Sequence, residues 1–189
     1  LNISWWSAME DQGRDSNRFQ YERFLLTQLL VMSLKGVPAF YLPALLASEN
    51  DIKSFSMTGQ RRDLNREKFK SEKLEAVFKN PESNANKNLR YLRHAMDVRS
   101  QLPQFHPQSQ MECLSKNRAD IVVIKRGIGS KAVFIIHNMT ENKINYRFID
   151  YEFNKLIKND LNMQDYLTSN KYNSNNIELD PFQVIWLGF

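Results

Sequence analysis

The chain has 189 residues, of which 42% are hydrophobic and 25% are charged, the composition of a soluble globular protein. Cys113 is its single cysteine, so an intrachain disulfide is excluded and nothing points to an oxidising compartment. No apolar run reaches the roughly 18 residues that a membrane span needs, so we expect a cytoplasmic protein without a membrane partner.

The first predicted elements are a helix and a buried strand. Ser16 and Asn17 can cap a helix, and apolar residues then recur at three- and four-residue intervals, at Tyr21, Phe24, Leu25, Leu29 and Met32. Gly36 is expected to end this helix. The next stretch, GVPAFYL (residues 36–42), is short, apolar and aromatic, and it predicts a strand buried on both sides, as in one unit of a β/α protein.

The middle of the chain is predicted to be irregular and then helical. Residues 47–66 are polar without a clear period. SEKLEAVFK, residues 71–79, predicts a short helix that packs Leu74, Val77 and Phe78, and a longer helix is predicted over residues 88–100.

The net charge of +5 is unevenly distributed, and this middle segment alone carries +6. Between residues 53 and 100 there are twelve Lys and Arg residues against six Asp and Glu residues. Such a basic segment can bind nucleic acid or an anionic small molecule, but it is most often a solvated helical surface.

After residue 107 the predicted secondary structure changes from helices to β-strands. Residues 121–126 and 131–139 are separated by glycines and predict a hairpin, and residues 143–149 alternate with period two. Residues 154–176 favour turns with room for one short strand, and DPFQVIWLGF predicts a last strand that carries Trp186. Helices followed by strands indicate two structural regions, with a boundary near Gln108.

Histidine and cysteine do not form a metal pattern in this sequence. His94, His106 and His137 lie far apart and Cys113 has no cysteine partner, so neither a metal nor another cofactor is expected.

Two kinds of residue could bind carbohydrate. Trp5 and Trp6 could stack on sugar rings, or one of them could face the core, and both alternatives stay open. TGQRRDLNREK, residues 58–68, holds three arginines, and arginine offers a planar fork for vicinal oxygens. The stretch is either a carbohydrate or phosphate site or simply a solvent-exposed surface.

Several motifs together resemble a known family. GVPAFYLPALLASEND followed by TGQRRDLNREK is similar to the end of the catalytic barrel in sucrose phosphorylase-like enzymes, a branch of the α-amylase superfamily. Those enzymes carry G-[VI]-P, an aromatic-rich strand, LLAGxND and then GR-x-[IL]-NR. The opening NISWWSAM resembles their N-x-x-YYSAL segment, and FHPQSQ and PFQVIWL match as well, so the resemblance covers essentially the whole chain.

The resemblance implies an α/β region followed by an all-β region. Residues 1–107 would be the C-terminal part of a catalytic (β/α)8 TIM barrel, with strand eight and helices seven and eight. Residues 108–189 would be a small C-terminal antiparallel β-sheet or sandwich domain. Because the chain opens on Leu1 rather than on methionine, we interpret it as a fragment that lacks something upstream.

The resemblance also implies a chemistry. Enzymes of this kind cleave an α-glucoside with retention, and inorganic phosphate, their co-substrate, then releases α-glucose 1-phosphate and an acceptor sugar or alcohol. Their catalytic residues belong to barrel strands that precede this chain, so none is expected here. The chain alone is therefore expected to be inactive and to need the remainder of the barrel, as an upstream segment or a partner chain.

By position in the motif, Arg62 corresponds to the family arginine at the floor of the glucose pocket. Asn65 and Arg66 match the motif too and are expected to shape and support that pocket. The chain departs from the family where Arg61, Ser48 and Pro43 replace glycines, which affects loop shape and acceptor preference.

Three rival interpretations stay open. One is a fragment of an α-glucosidase or glucosyltransferase of the same superfamily, in which water or a sugar is the acceptor. Another is a non-catalytic carbohydrate-binding or structural remnant. The third is a nucleic-acid binder, which we do not expect and which would lose affinity steeply with salt.

Overall fold

The computed structural model describes residues 2–11, 18–115, 118–148 and 162–189. The chain divides into two compact units, one of Leu1–Leu25 with Ala39–His94 and one of Leu26–Pro38 with Ala95–Phe189. The second unit therefore includes residues on both sides of position 108. The division predicted from the sequence, residues 1–107 and 108–189, stays a prediction.

Five α-helices lie in the described residues: α1 (Gln20–Ser33), α2 (Leu42–Leu45), α3 (Ile52–Thr58), α4 (Ser71–Lys79) and α5 (Asn84–Gln101). Short 3₁₀-helices cover Ser7–Met9, Arg61–Asn65, Pro103–Phe105 and Gly129–Lys131. The predictions of α1, α4 and α5 are confirmed, although α5 begins earlier than predicted. None of the described helices is long and apolar enough to cross a membrane.

The apolar face predicted for α1 is buried as expected. Phe24, Leu29 and Met32 are fully buried, and each such side chain contributes about 1.5–3 kcal/mol to folding. The helix ends at Ser33, and Gly36 follows with a φ of 109°, in the region that glycine adopts without strain. The two cap residues proposed for this helix lie outside the described residues.

The strand predicted at residues 36–42 is not formed. No strand of the described residues pairs with residues 37–41. The backbone is extended at Tyr41, and α2 begins directly afterwards at Leu42. The prediction was wrong because an apolar, aromatic run specifies a strand only when a neighbouring strand accepts and donates its hydrogen bonds. Pro43 in the first turn of α2 also favours helix over strand at that point.

The prediction that residues 47–66 are irregular was also wrong. The side chain of Asp51 accepts a hydrogen bond from the backbone N–H of Ser54 at 2.9 Å and caps α3. Gly59, with a φ of 67°, ends the helix. In α4, by contrast, the predicted packing of Phe78 is wrong, since that side chain is 50% exposed.

Most strands of the second unit form one antiparallel sheet. Its strands are β1 (Met111–Cys113), β2 (Ile121–Arg126), β3 (Val133–Asn138), β5 (Asn162–Asp165), β6 (Lys171–Asn173) and β8 (Val184–Gly188), in the order β1-β2-β3-β8-β5-β6. A separate pair is formed by β4 (Ile144–Tyr146) and β7 (Ile177–Leu179). The predicted hairpin is confirmed, with Arg126 opposite Val133 and Ile121 opposite Asn138.

The core of the second unit lies around the two central strands. Every residue of β3 and β8 is buried, and Trp186 packs its ring against Phe105 at a centroid distance of 4.7 Å. The fold class inferred from the sequence is therefore confirmed for this part: a small antiparallel β domain follows the helical region.

His137 is a fully buried histidine in this core. Its Nε2 lies 3.3 Å from Ser33 Oγ and its Nδ1 lies 3.4 Å from the carbonyl oxygen of Val122. Burial lowers the pKa of His137 from 6.5 to about 4, because the charged imidazolium is poorly solvated there.

We expect this histidine to make the free energy of unfolding depend on pH between pH 7 and pH 5. The unfolded state takes up a proton below pH 6.5, whereas the folded state stays neutral down to about pH 4. Stability is thus fully present above pH 6.5 and falls with decreasing pH, by about 2 kcal/mol between pH 7 and pH 5. Urea unfolding at pH 7, 6 and 5 measures this loss, and His137→Gln should remove most of it. Equal losses in both proteins would contradict the assignment.

Candidate functional site

The three predicted site residues lie on one short turn of the first unit. Arg62 and Asn65 belong to the 3₁₀-helix Arg61–Asn65, and Arg66 is the residue that ends it. This helix follows α3 closely because Gly59 turns the chain in the left-handed conformation. Local hydrogen bonds hold the turn: Thr58 Oγ1 donates to the carboxylate of Asp63 at 2.7 Å.

The side chains of this turn differ in exposure. Arg62 is exposed, and its Nε donates to Gln60 Oε1 at 3.2 Å. Asn65 is half-buried, and its Oδ1 is buried without a hydrogen-bond partner in the part of the chain that the structure describes. A guanidinium with free N–H groups can bind paired hydroxyls or an anion. An orphaned amide oxygen can accept a further hydrogen bond.

The acidic residues nearby are engaged in local contacts. Glu67 forms an ion pair with Lys73 on α4, and Asp63 accepts from Thr58. Hydrogen bonds from Ser54 to Asp51, with smaller help from Lys73 and Lys53, hold the pKa of the Asp51 carboxyl below its usual value. The pKa of the Asp51 carboxyl is thus shifted in the opposite direction from that of a glycosidase general acid, which is raised.

The tryptophan pair of the opening motif is divided between two environments. Trp6 is 6% exposed and meets Phe24 edge to face at a centroid distance of 5.1 Å. Trp5 is half-buried and contacts the same ring at 6.2 Å. The alternative in which one tryptophan faces the core is therefore correct, and Trp6 is that residue.

A cavity of about 500 Å³ opens beside this turn, within the first unit. Its lining combines the indole of Trp6 with the polar residues Asn50 and Asp51 and with the ion pair of Glu67 and Lys73. Arg62 does not line this cavity, so the cavity and the predicted glucose contact are separate features.

Within residues 2–11, 18–115, 118–148 and 162–189, no group of three or more His, Cys, Asp or Glu side chains is arranged to hold a metal ion.

Sequence comparison connects the chain to phosphorylases. It is 36% identical over 142 residues to a glucosylglycerate phosphorylase of Allomeiothermus silvanus, a match that covers 75% of this chain and 25% of the relative. A glucosylglycerate phosphorylase of Escherichia coli is 21% identical across 99% of this chain and 32% of its own length. A sucrose phosphorylase of Streptococcus mutans is 26% identical across 65% of this chain and 23% of its own length. The chain is a relative of the sucrose phosphorylase-like enzymes of the α-amylase superfamily.

Solved structures of α-amylase-family enzymes share the fold of this chain. A pullulanase from Anoxybacillus sp. LM18-11 superimposes with a TM-score of 0.66 at 11% identity, covering 98% of this chain and 26% of the pullulanase. An Anoxybacillus α-amylase superimposes with a TM-score of 0.59 at 16% identity, covering 93% of this chain and 33% of the amylase. At such identities the likeness concerns the fold alone.

The chain spans only about a fifth to a third of the length of the curated proteins it matches. No protein-family model matches the chain. The family is therefore supported by pairwise similarity over most of the chain and by the fold.

Sequence reasoning missed one part of the site, the dipeptide of Asn50 and Asp51. Asn50 Oδ1 accepts from the backbone N–H of Ser4 at 2.7 Å, which ties the NISWWSAM segment to the ASEND segment. The signal available in the sequence was an Asp three residues before Ser54 with Gly59 beyond it, the pattern of a short capped helix.

Proposed function

We propose that this chain forms the C-terminal part of a retaining α-glucoside phosphorylase. The enzyme transfers a glucosyl group from an α-glucoside to phosphate and releases α-glucose 1-phosphate with an acceptor. The catalytic carboxylates are supplied by a barrel region outside this chain, and the chain alone is inactive. A cytoplasmic location, expected from the sequence, belongs to the same proposal.

The observation that carries this proposal is the 36% identity to a glucosylglycerate phosphorylase over 142 residues. A second glucosylglycerate phosphorylase aligns with nearly the whole chain. We therefore favour glucosylglycerate as the substrate and glycerate as the acceptor, with sucrose as the substrate to compare. The relatives' names support this choice of acceptor, and the site of this chain contributes the glucosyl side of the pocket.

Within this proposal Arg62 holds the glucosyl group. Its exposed guanidinium presents a planar fork, which suits two neighbouring hydroxyls of a sugar ring. Asn65 and Arg66 lie on the same turn and keep its shape. Since the nucleophile and the acid are on other strands, the role of this turn is to fix the position of the ring that they attack.

The remainder of the barrel is the proposed partner of the chain. Residues 37–41 pair with no strand of the described residues, and Val37 is 80% exposed and Tyr41 58% exposed. An exposed apolar segment that belongs to no sheet is suited to pair with a neighbouring strand. This supports an upstream segment or a partner chain that completes a sheet around it.

A glucosidase or glucosyltransferase is the second candidate, favoured by the likeness of the fold to an α-amylase and a pullulanase. It differs only in the molecule that takes the glucosyl group from the enzyme, which is water or a sugar instead of phosphate. A non-catalytic carbohydrate-binding remnant would bind glucosides without turnover.

Phosphate dependence distinguishes these functions. The protein that carries this chain together with its upstream barrel is incubated with glucosylglycerate or sucrose, with and without phosphate, and glucose 1-phosphate and glucose are measured. We expect glucose 1-phosphate only when phosphate is present, with glucosylglycerate the better substrate, and none from the 189-residue chain alone. Release of free glucose at the same rate without phosphate would replace the proposal with a hydrolase.

A further inference from the structure

The dipeptide Asn50–Asp51 is hydrogen-bonded on both sides, to two segments that are distant in sequence. On one side Asn50 Oδ1 accepts from the N–H of Ser4 at 2.7 Å. The N–H of Asn50 donates to Ser7 Oγ at 3.1 Å. Ser4 and Ser7 are themselves joined, because the N–H of Ser7 donates to Ser4 Oγ at 3.1 Å. Asn50 is thus fixed by a closed set of three hydrogen bonds.

On the other side Asp51 holds the turn of Arg62. Its N–H donates to the carbonyl oxygen of Leu64 at 2.7 Å. Its carboxylate accepts from the N–H and the hydroxyl of Ser54 at 2.9 and 2.6 Å, which caps α3. Both ends of the segment from α3 to the 3₁₀-helix are therefore anchored at one residue.

We propose that Asn50 and Asp51 position the turn that carries Arg62, and we call the hydrogen bonds of these two residues the clasp. The role of the clasp in catalysis rests on the proposed function, in which Arg62 binds the glucosyl group. The side chain of Arg62 is hydrogen-bonded, among the described residues, to Gln60 of its own turn. The placement of its guanidinium therefore follows the placement of the turn. An error of about 1 Å in such a contact can cost about 100-fold in rate.

The clasp predicts a specific chemical requirement at position 50. The side chain must present an acceptor oxygen to the N–H of Ser4, which asparagine and aspartate can do and alanine cannot. Loss of that acceptor leaves the N–H of the buried Ser4 unpaired and releases the segment that Asp51 connects to Leu64. The effect on catalysis should then pass through Arg62.

A double-mutant cycle in the protein with its complete barrel tests this path. Asn50→Ala is expected to lower kcat/KM for the glucoside about tenfold, and Asn50→Asp should keep most of it. In the Arg62→Leu background Asn50→Ala should change kcat/KM less than twofold, because the group it positions is gone. A loss of the same size in both backgrounds would overturn the proposal.

Hydrogen exchange gives a readout that does not depend on turnover. Asn50→Ala is expected to speed amide exchange of residues 60–66, whereas Asn50→Asp should not. Asn80→Ala is the matched control, since Asn80 Oδ1 also accepts a backbone N–H, that of Glu82 at 3.0 Å, outside the clasp. If the protein proves to have no phosphorylase activity, faster exchange in Asn50→Ala alone still supports the clasp. Unchanged exchange rejects it in either case.

Discussion

Replacing Arg62 with leucine is expected to lower kcat/KM for the α-glucoside by roughly 100- to 1000-fold, in a protein that joins this chain to its catalytic barrel. Hydrogen bonds from a charged donor contribute about 1.5–3 kcal/mol each, and a guanidinium can make two to neighbouring hydroxyls. Leucine makes neither and leaves the sugar hydroxyls without those two donors. The loss measures transition-state stabilisation relative to free enzyme and substrate.

Two further variants at the same turn make the result specific. Arg61→Leu removes the same charge one residue away, at a position where the family pattern has glycine, so most of the activity should remain. Arg62→Lys should fall between the two, because lysine keeps the charge but replaces a planar fork with a single ammonium. The assignment fails if Arg62→Leu retains a third or more of the activity, or if Arg61→Leu loses as much as Arg62→Leu.

The contrast also separates a sugar contact from a general electrostatic effect. If the basic middle segment acted only by its net charge, both leucine variants would lose activity to the same extent and the loss would shrink with added salt. A hydrogen-bonding role predicts a loss that depends on position and changes little with salt.

Local patterns in the sequence predicted local structure well. The helix over residues 71–79 has the bounds predicted for it, because Pro81 and an apolar stripe are signals within one turn of the chain. The hairpin of β2 and β3 follows from two β-rich runs separated by Gly127 and Gly129, both with positive φ. In each case the information lies in neighbouring residues.

Features that depend on distant residues could not be predicted in the same way. The last strand of the chain, β8, lies between β3 and β5 in the sheet, and no local pattern specifies that order. Residues 37–41 have the composition of a strand, yet pairing requires a neighbour that the described residues do not provide. The clasp at Asn50 likewise depends on Ser4, 46 positions away in sequence.

The candidate site was predicted by its motif and not by its geometry. The resemblance selected Arg62, Asn65 and Arg66, and the structure places all three on one turn and its end. Their binding role stays a prediction, because the sugar contact needs residues of the barrel. The hydrogen bonds that anchor this turn could not be predicted from the sequence, because hydrogen bonds to backbone atoms do not require a recognisable pattern of residues.

Arg126 was also overlooked, because an arginine at a strand end is usually solvated. It is fully buried in the second unit, where its Nη1 donates to the carbonyl oxygens of Ser33 at 3.1 Å and Leu34 at 2.6 Å. Its Nη2 donates to the carbonyl oxygen of His106 at 3.0 Å. The first two acceptors lie at the end of α1, where helix carbonyls have no partner within the helix.

A second arginine completes this arrangement. Arg99 donates to the carbonyl oxygens of Met32 and Gly36, both at 3.0 Å. The guanidinium carbons of Arg99 and Arg126 lie 5.4 and 5.5 Å from the centroid of the Phe105 ring, so both cations interact with the same aromatic ring. Burial lowers the pKa of Arg126, and the charge of Arg99 lowers it further, so the carbonyl contacts are needed to keep the buried cation stable.

Replacing Arg126 with methionine is therefore expected to lower the free energy of unfolding by about 3–5 kcal/mol, because three carbonyl groups lose their donors and the packing against Phe105 is reduced. Urea unfolding at pH 7 measures the change. Arg118→Met, which removes the same charge from an exposed pair with Asp120, should cost less than about 1 kcal/mol. Equal costs for the two variants would mean that the buried arginine is compensated by water or by repacking. A much larger cost for Arg126→Met would mean that the end of α1 is held by this side chain.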